Sequence, residues 1–110
     1  MFVYLIVCTM KNNHQPLLNP ADIIQRKEKK FLTNRLGDET VMMDMDSGDY
    51  IGVNSVGTDI WNLLSEPVSV NSLIDKIQSM YEVTGEQCTS EVNVFLSKML
   101  EHDMLAVYAA

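Results

Sequence analysis

Two cysteines and two histidines, the side chains best suited to hold a transition metal or to form a thiol–imidazole pair, occur in this 110-residue chain: Cys8, His14, Cys88 and His102. No two of them stand at ligand spacing, so a metal centre finds no donor set. A catalytic constellation is missing too. There is no G-x-S-x-G elbow, no phosphate-cradling glycine loop, no H-E-x-x-H pair, and no cysteine with an arguable histidine partner. The run DMDSGD from Asp44 has the opening of a calcium loop, but the twelfth position is Ser55 and not the glutamate such a loop requires. It reads as a hairpin turn. The expectation is a protein without catalytic residues, cofactor or metal, whose chemistry is binding.

What it binds is narrowed by charge. Residues 1–36 hold six basic side chains (Lys11, Arg26, Lys27, Lys29, Lys30, Arg35) and two acidic ones, so that segment carries +4 of a net −7 and the rest carries −11. An acidic body repels phosphate, which supplies most of the affinity for nucleic acid, so DNA and RNA are poor partners. The opening MFVYLIVCTM is apolar, but it has no leading basic residue and is about half a membrane span long, so neither signal peptide nor anchor is expected. Either Met10 is the natural start, or the first nine residues fold back as an extra strand. Two distant cysteines and no disulfide pattern suit a reducing, cytoplasmic setting.

Candidate binding residues need elements to hold them. Residues 1–29, with Pro16, Pro20 and the RKEKK run, look like a partly flexible arm, and 30–108 like one domain. Three short strands are predicted at FLTNRL (31–36), ETVMMDM (39–45) and DYIGVN (49–54), separated by Gly37-Asp38 and Asp46-Ser47-Gly48-Asp49 turn chemistry. From Asn54 the apolar period changes from two to 3.6. Asn54 or Ser55 can cap a helix with Val56, Ile60, Leu63 and Leu64 on one face, closed by Pro67. Ser69 can cap a second helix with a stripe of Val70, Leu73, Ile74, Ile77, Met80 and Tyr81. Thr84 and Gln87 form a capping box for a third, with Cys88, Val92, Phe95, Leu96 and Met99 inward. Met104 to Tyr108 can return as a short strand. The fold expected is α+β and winged-helix-like, a three-stranded antiparallel sheet followed by three helices on one face.

The segment LGDETVMMDMDSGDYIGVNSVGTDIWNLL, with Asp44, Gly48, Tyr50, Asn54, Gly57, Ile60, Trp61, Leu63 and Leu64, resembles the family of pyrroloquinoline quinone biosynthesis protein D, the RiPP recognition elements. The tail NVFLSKMLEHDML agrees, so the resemblance spans about 30–107. Cofactor-biosynthesis members tend to carry an aspartate and glycine after the first helix, where this chain has Ser65-Glu66-Pro67, and an aliphatic residue where it has Trp61. The pattern is closer to the stand-alone leader-binding proteins of lasso-peptide clusters.

The resemblance implies that a precursor's leader peptide adds as a strand beside Asp49, Tyr50, Ile51, Gly52 and Val53, in a groove walled by the third helix. Strand addition draws affinity from backbone bonds and specificity from side-chain pockets. It needs an unpaired edge there, with Ile51 as one of its donors. On the third helix Gln87, Glu91, Val94 and Lys98 share a flank beside the core stripe, with Phe95 at its edge, so that flank is the expected wall. The expected partners are a precursor leader peptide and a modifying enzyme or leader peptidase of the same pathway, with no membrane. Two alternatives remain: a winged-helix DNA-binding module, disfavoured because the third helix is expected to carry Glu86, Glu91, Glu101 and Asp103 against Lys98, and a non-catalytic structural subunit forming a homodimer through the apolar edge.

Overall fold

A computed structural model of the chain describes residues 18–27 and 30–108, and the backbone pairing of residues 5–7. The expectations for Met10, Cys8, His14 and the whole 11–17 stretch fall outside the described residues. Three antiparallel strands, β3 (Phe31–Leu36), β4 (Glu39–Asp44) and β5 (Tyr50–Val53), form the meander predicted from the period-two runs. Phe31, Met42, Ile51 and Val53 point to the core, with Thr40 and Asp44 beside them. The hairpin between β4 and β5 is tied by Asp44, whose carboxylate accepts from the Asp46 amide at 2.9 Å, while Gly48 takes the left-handed φ of 80° that closes the turn.

Helices α1 (Ser55–Leu63), α2 (Val70–Met80) and α3 (Gly85–Glu101) begin at Asn54, Ser69 and Thr84. Each cap side chain accepts the amide three residues on, from Gly57, Ser72 and Gln87. Their inward stripes close a single core with the sheet, in which Ile60, Leu64, Leu73, Ile77, Cys88, Val92, Leu96 and Met99 are fully buried. One member of the expected α2 stripe turns outward: Met80, at the last helical position, is half exposed, while Tyr81 packs against the core. Tyr81 follows as the cap, and its hydroxyl donates to Asp59 of α1. Thr40 on β4 and Thr58 on α1 pair their hydroxyls at 3.0 Å inside the core, which satisfies two polar groups that burial would otherwise penalise. Among the described residues no helix is long and apolar enough to cross a membrane.

Two features depart from the expected outline. The first is a second sheet. β2 (Ile23–Arg26) lies between β6 (Val68–Ser69) and β7 (Leu105–Tyr108), so part of the arm is built into the body. Ile24 is fully buried, Arg26 donates to the Trp61 carbonyl at 2.9 Å and lies over its ring, and Lys27 and Lys30 both meet Asp103. The basic run thus answers the body's own acidic surface. Trp61 is core, edge-on to Phe31.

The second departure concerns the outer edge of β5, which is not open. β1 (Leu5–Val7) pairs with it antiparallel, Leu5 opposite Val53, Ile6 opposite Gly52 and Val7 opposite Ile51, giving a sheet ordered β1-β5-β4-β3. Such a strand is marginal on general grounds. Ordering three residues costs about 1–2 kcal/mol each, whereas each backbone hydrogen bond contributes a net of roughly 0.5–1.5 kcal/mol.

Candidate functional site

The edge chemistry of β5 follows from its register. The Asp44 amide donates to the Asp49 carbonyl at 2.9 Å, which makes these two a hydrogen-bonded pair. Such pairs alternate along an antiparallel ladder, so Met42 with Ile51 and Thr40 with Val53 are hydrogen-bonded as well, while Met43 with Tyr50 and Val41 with Gly52 are not. The amides and carbonyls of Ile51 and Val53 are therefore engaged with β4. Those of Tyr50 and Gly52 face outward, and Gly52 exchanges its bonds with Ile6. The expectation that Ile51 donates on the outer edge is corrected by this alternation: the donors there are Tyr50 and Gly52.

Side chains divide along a different axis. Ile51 and Val53 are buried at 1% and 3% exposure and cannot be touched by a peptide side chain without opening the core. Tyr50, 56% exposed, stands on the outer face with half-buried Gly52, where a Cβ would meet nothing within 4 Å. Asp49 is half-buried and already accepts through its carbonyl in the hairpin.

On α3, Val94 is 54% exposed, Gln87 and Lys98 are exposed and Glu91 is half-buried, so this side of the helix is a mixed apolar and charged surface. Phe95 is 2% exposed and belongs to the core. Its role is to set the distance between α3 and the strand. A Cβ placed on Gly57 in the first turn of α1 would lie 3.0 Å from Val53 Cβ, 3.2 Å from Phe95 Cε1 and 3.3 Å from Asn54 Oδ1. Glycine at that point lets the end of β5, the start of α1 and the middle of α3 meet. The structure thus brings Val53 and Phe95 to one junction, with Tyr50 and Gly52 at the edge and Gln87, Val94 and Lys98 on the exposed side of α3.

Two surface features escaped the sequence reading. The outer face of the sheet holds a shallow apolar hollow of about 330 Å³ lined by Leu32, Leu36, Val41, Met43 and Tyr50, of which Leu32 and Leu36 are more than half exposed. The signal was there, since FLTNRL alternates Phe31 inward with Leu32 and Leu36 outward. At the far end of the meander, Lys30 sits among Asp44, Asp46, Asp49, Glu101 and Asp103. Burial works against the charge of the Lys30 ammonium, but its bonds to Asp44 and Asp103 outweigh this and raise its pKa. Burial likewise opposes the Asp44 carboxylate, and the Asp46 amide, Lys30 and the Ser47 amide together hold its pKa below the usual range. This region is a structural clamp: Lys30 is held by Asp44 on one side and Asp103 on the other, and Lys27 shares Asp103.

These elements define a small α+β domain with three capped helices packed on an antiparallel sheet whose outer edge is the three-residue β1. Residues 39–105 match the family described as coenzyme PQQ synthesis protein D, and the chain belongs to that family. The matched span runs from β4 to the start of β7, so β1, β2 and β3 lie outside it. Among solved structures, one described as TbiB1 in complex with the TbiA(beta) leader peptide is similar, with a TM-score of 0.66 and 26% identity over 76% of this chain and 96% of that one. No curated protein sequence matches the chain.

Proposed function

We propose that the chain binds the leader segment of a ribosomally made precursor peptide as an added strand on β5, and presents it to a separate modifying enzyme or leader peptidase in the cytoplasm, doing no chemistry itself. The observation that carries this reading is the outer edge of β5, where Tyr50 and Gly52 direct their amides and carbonyls away from β4 and a three-residue strand is held by backbone pairing. An edge able to hold one short apolar strand can hold another, because ladder bonds do not depend on side-chain identity. Family membership and the similarity to a leader-bound protein support the same ligand class. The flank of Gln87, Glu91, Val94 and Lys98 supplies the second wall, a mixed apolar and charged surface that can meet side chains of the bound peptide.

The test is a titration of the isotopically labelled chain with the leader peptide of its candidate precursor, followed at backbone amides. Shifts are expected at Tyr50, Gly52, Val94 and Lys98. Shifts confined to the outer face around Leu32 and Leu36 would exclude binding at this edge.

A further inference from the structure

We propose that β1 is a displaceable placeholder: Leu5–Val7 occupies in cis the edge that a peptide takes in trans, so capture is a competition between the chain's own strand and the incoming one. The inference rests on the leader-binding reading and adds its regulation. Three observations carry it. The strand lies on the same edge, opposite Ile51, Gly52 and Val53, and the bonds it uses belong to Gly52, which no other strand engages. It is three residues long, the shortest of the four strands in its sheet, and ends the sheet at one side. It also lies outside residues 39–105, the span shared with the family.

The pairing prescribes how a visiting peptide sits. It runs antiparallel to β5, with one residue opposite Gly52 exchanging both backbone bonds with it, and with neighbours opposite Ile51 and Val53 whose own amides face away. The placeholder there is Leu-Ile-Val. A peptide that replaces it is accordingly an extended segment whose central residue is not proline, since that residue must bring an amide to Gly52. A short strand on an edge opens far more readily than the ladder inside the sheet, so the site is available without unfolding the domain. While β1 is in place it lowers the apparent affinity by the fraction of time the edge is open, and it covers an apolar edge that invites self-pairing.

The experiment compares two full-length variants. Ile6→Pro removes the amide that donates to Gly52, whereas Val7→Pro changes an amide that points away from β5 and leaves the ladder intact. Without any peptide, amide hydrogen exchange at Gly52 is expected to accelerate roughly 3- to 10-fold in Ile6→Pro, the factor set by an edge open about 10–30% of the time, with Ile51 unchanged, and to stay at the parent rate in Val7→Pro. Exchange at Gly52 that ignores Ile6→Pro would overturn the placement of β1. With the candidate leader peptide, Ile6→Pro is expected to lower Kd by roughly 3- to 10-fold, the gain set by an edge open about 10–30% of the time. Equal Kd values in the parent and Ile6→Pro overturn the competition while leaving leader binding intact. No binding by either protein overturns the leader-binding reading instead, and the exchange data still decide the strand.

Discussion

Replacing Gly57 with alanine sets two effects of similar size against each other, and the geometry around that residue decides between them. Helix propensity favours the change: alanine is better than glycine in a helix interior by about 1 kcal/mol, and by less in the first turn, where Gly57 lies. Contact opposes it. The new methyl would stand 3.0 Å from Val53 Cβ, 3.2 Å from the Phe95 ring and 3.3 Å from Asn54 Oδ1. None of these neighbours is the loose end of a flexible chain. Val53 Cβ moves only with the backbone of β5, Phe95 is 2% exposed in the core, and Asn54 Oδ1 accepts the Gly57 amide as the helix cap at 2.9 Å. Overpacking of this kind costs about 1–3 kcal/mol, so the balance falls near 1–2 kcal/mol of destabilisation. For a domain of this size about 1 kcal/mol corresponds to roughly 4–8 °C in Tm. Thermal unfolding of Gly57→Ala is therefore expected to begin well below the parent, and Phe95→Leu in the same chain to cost less than it does alone, because it removes one of the three contacts. A Tm equal to or above the parent's refutes the reasoning. It would mean that β5, α1 and α3 can part easily, and that the spacing between strand edge and Val94 flank is soft.

Other expectations concern the interior and the clamp. Thr40→Val leaves the Thr58 hydroxyl buried without its 3.0 Å partner and is expected to cost about 1–3 kcal/mol, whereas Thr40→Val with Thr58→Val together should be close to neutral; chemical denaturation of both single variants and the double one checks this. Asp44 and Asp103 have folded pKa values held below the ordinary 3.8, Asp44 against its burial by the Asp46 amide and Lys30, Asp103 by Lys27. Depressed carboxylates contribute stability that is present above the unfolded value and lost as pH falls through the folded one. Tm should therefore hold level down to about pH 5 and drop below about pH 4, and Asp44→Asn should shrink that drop more than Asp103→Asn, since the Asp103 side chain is 63% exposed and its pairs are screened.

Most of the frame that positions the edge is legible in the residues themselves, because it depends on side chains. The alternation in ETVMMD and YIGV, the caps at Asn54, Ser69 and Thr84, and the helical stripes all mark which groups leave water, and burial follows them. The second sheet is harder to read. β2 has only Ile23 and Ile24 as apolar residues, and β6 is two residues long, too short for a period to show. Both are strands because β7 and the start of α2 close over them, which is a tertiary cause and leaves little local trace.

The edge of β5 is the part where side-chain reasoning reaches its limit. Period two tells that Ile51 and Val53 face the core and Tyr50 and Gly52 face out, but the hydrogen-bonding direction alternates about a perpendicular axis, and only the turn fixes its phase. The 2.9 Å bond from Asp44 to Asp49 sets that phase, assigning Gly52 to the outer edge. Nor does a ladder declare its occupant, since every residue but proline brings the same donor and acceptor. An apolar opening such as LIV is compatible with a chance upstream segment and with a strand alike. Indifference to side chains along the backbone, which would let an edge accept many peptide sequences, is also what admits the chain's own Leu5–Val7. Under the proposed strand addition, specificity falls to the surfaces on either side of the strand: Tyr50 on the outer face, and Val94 and Lys98 on α3.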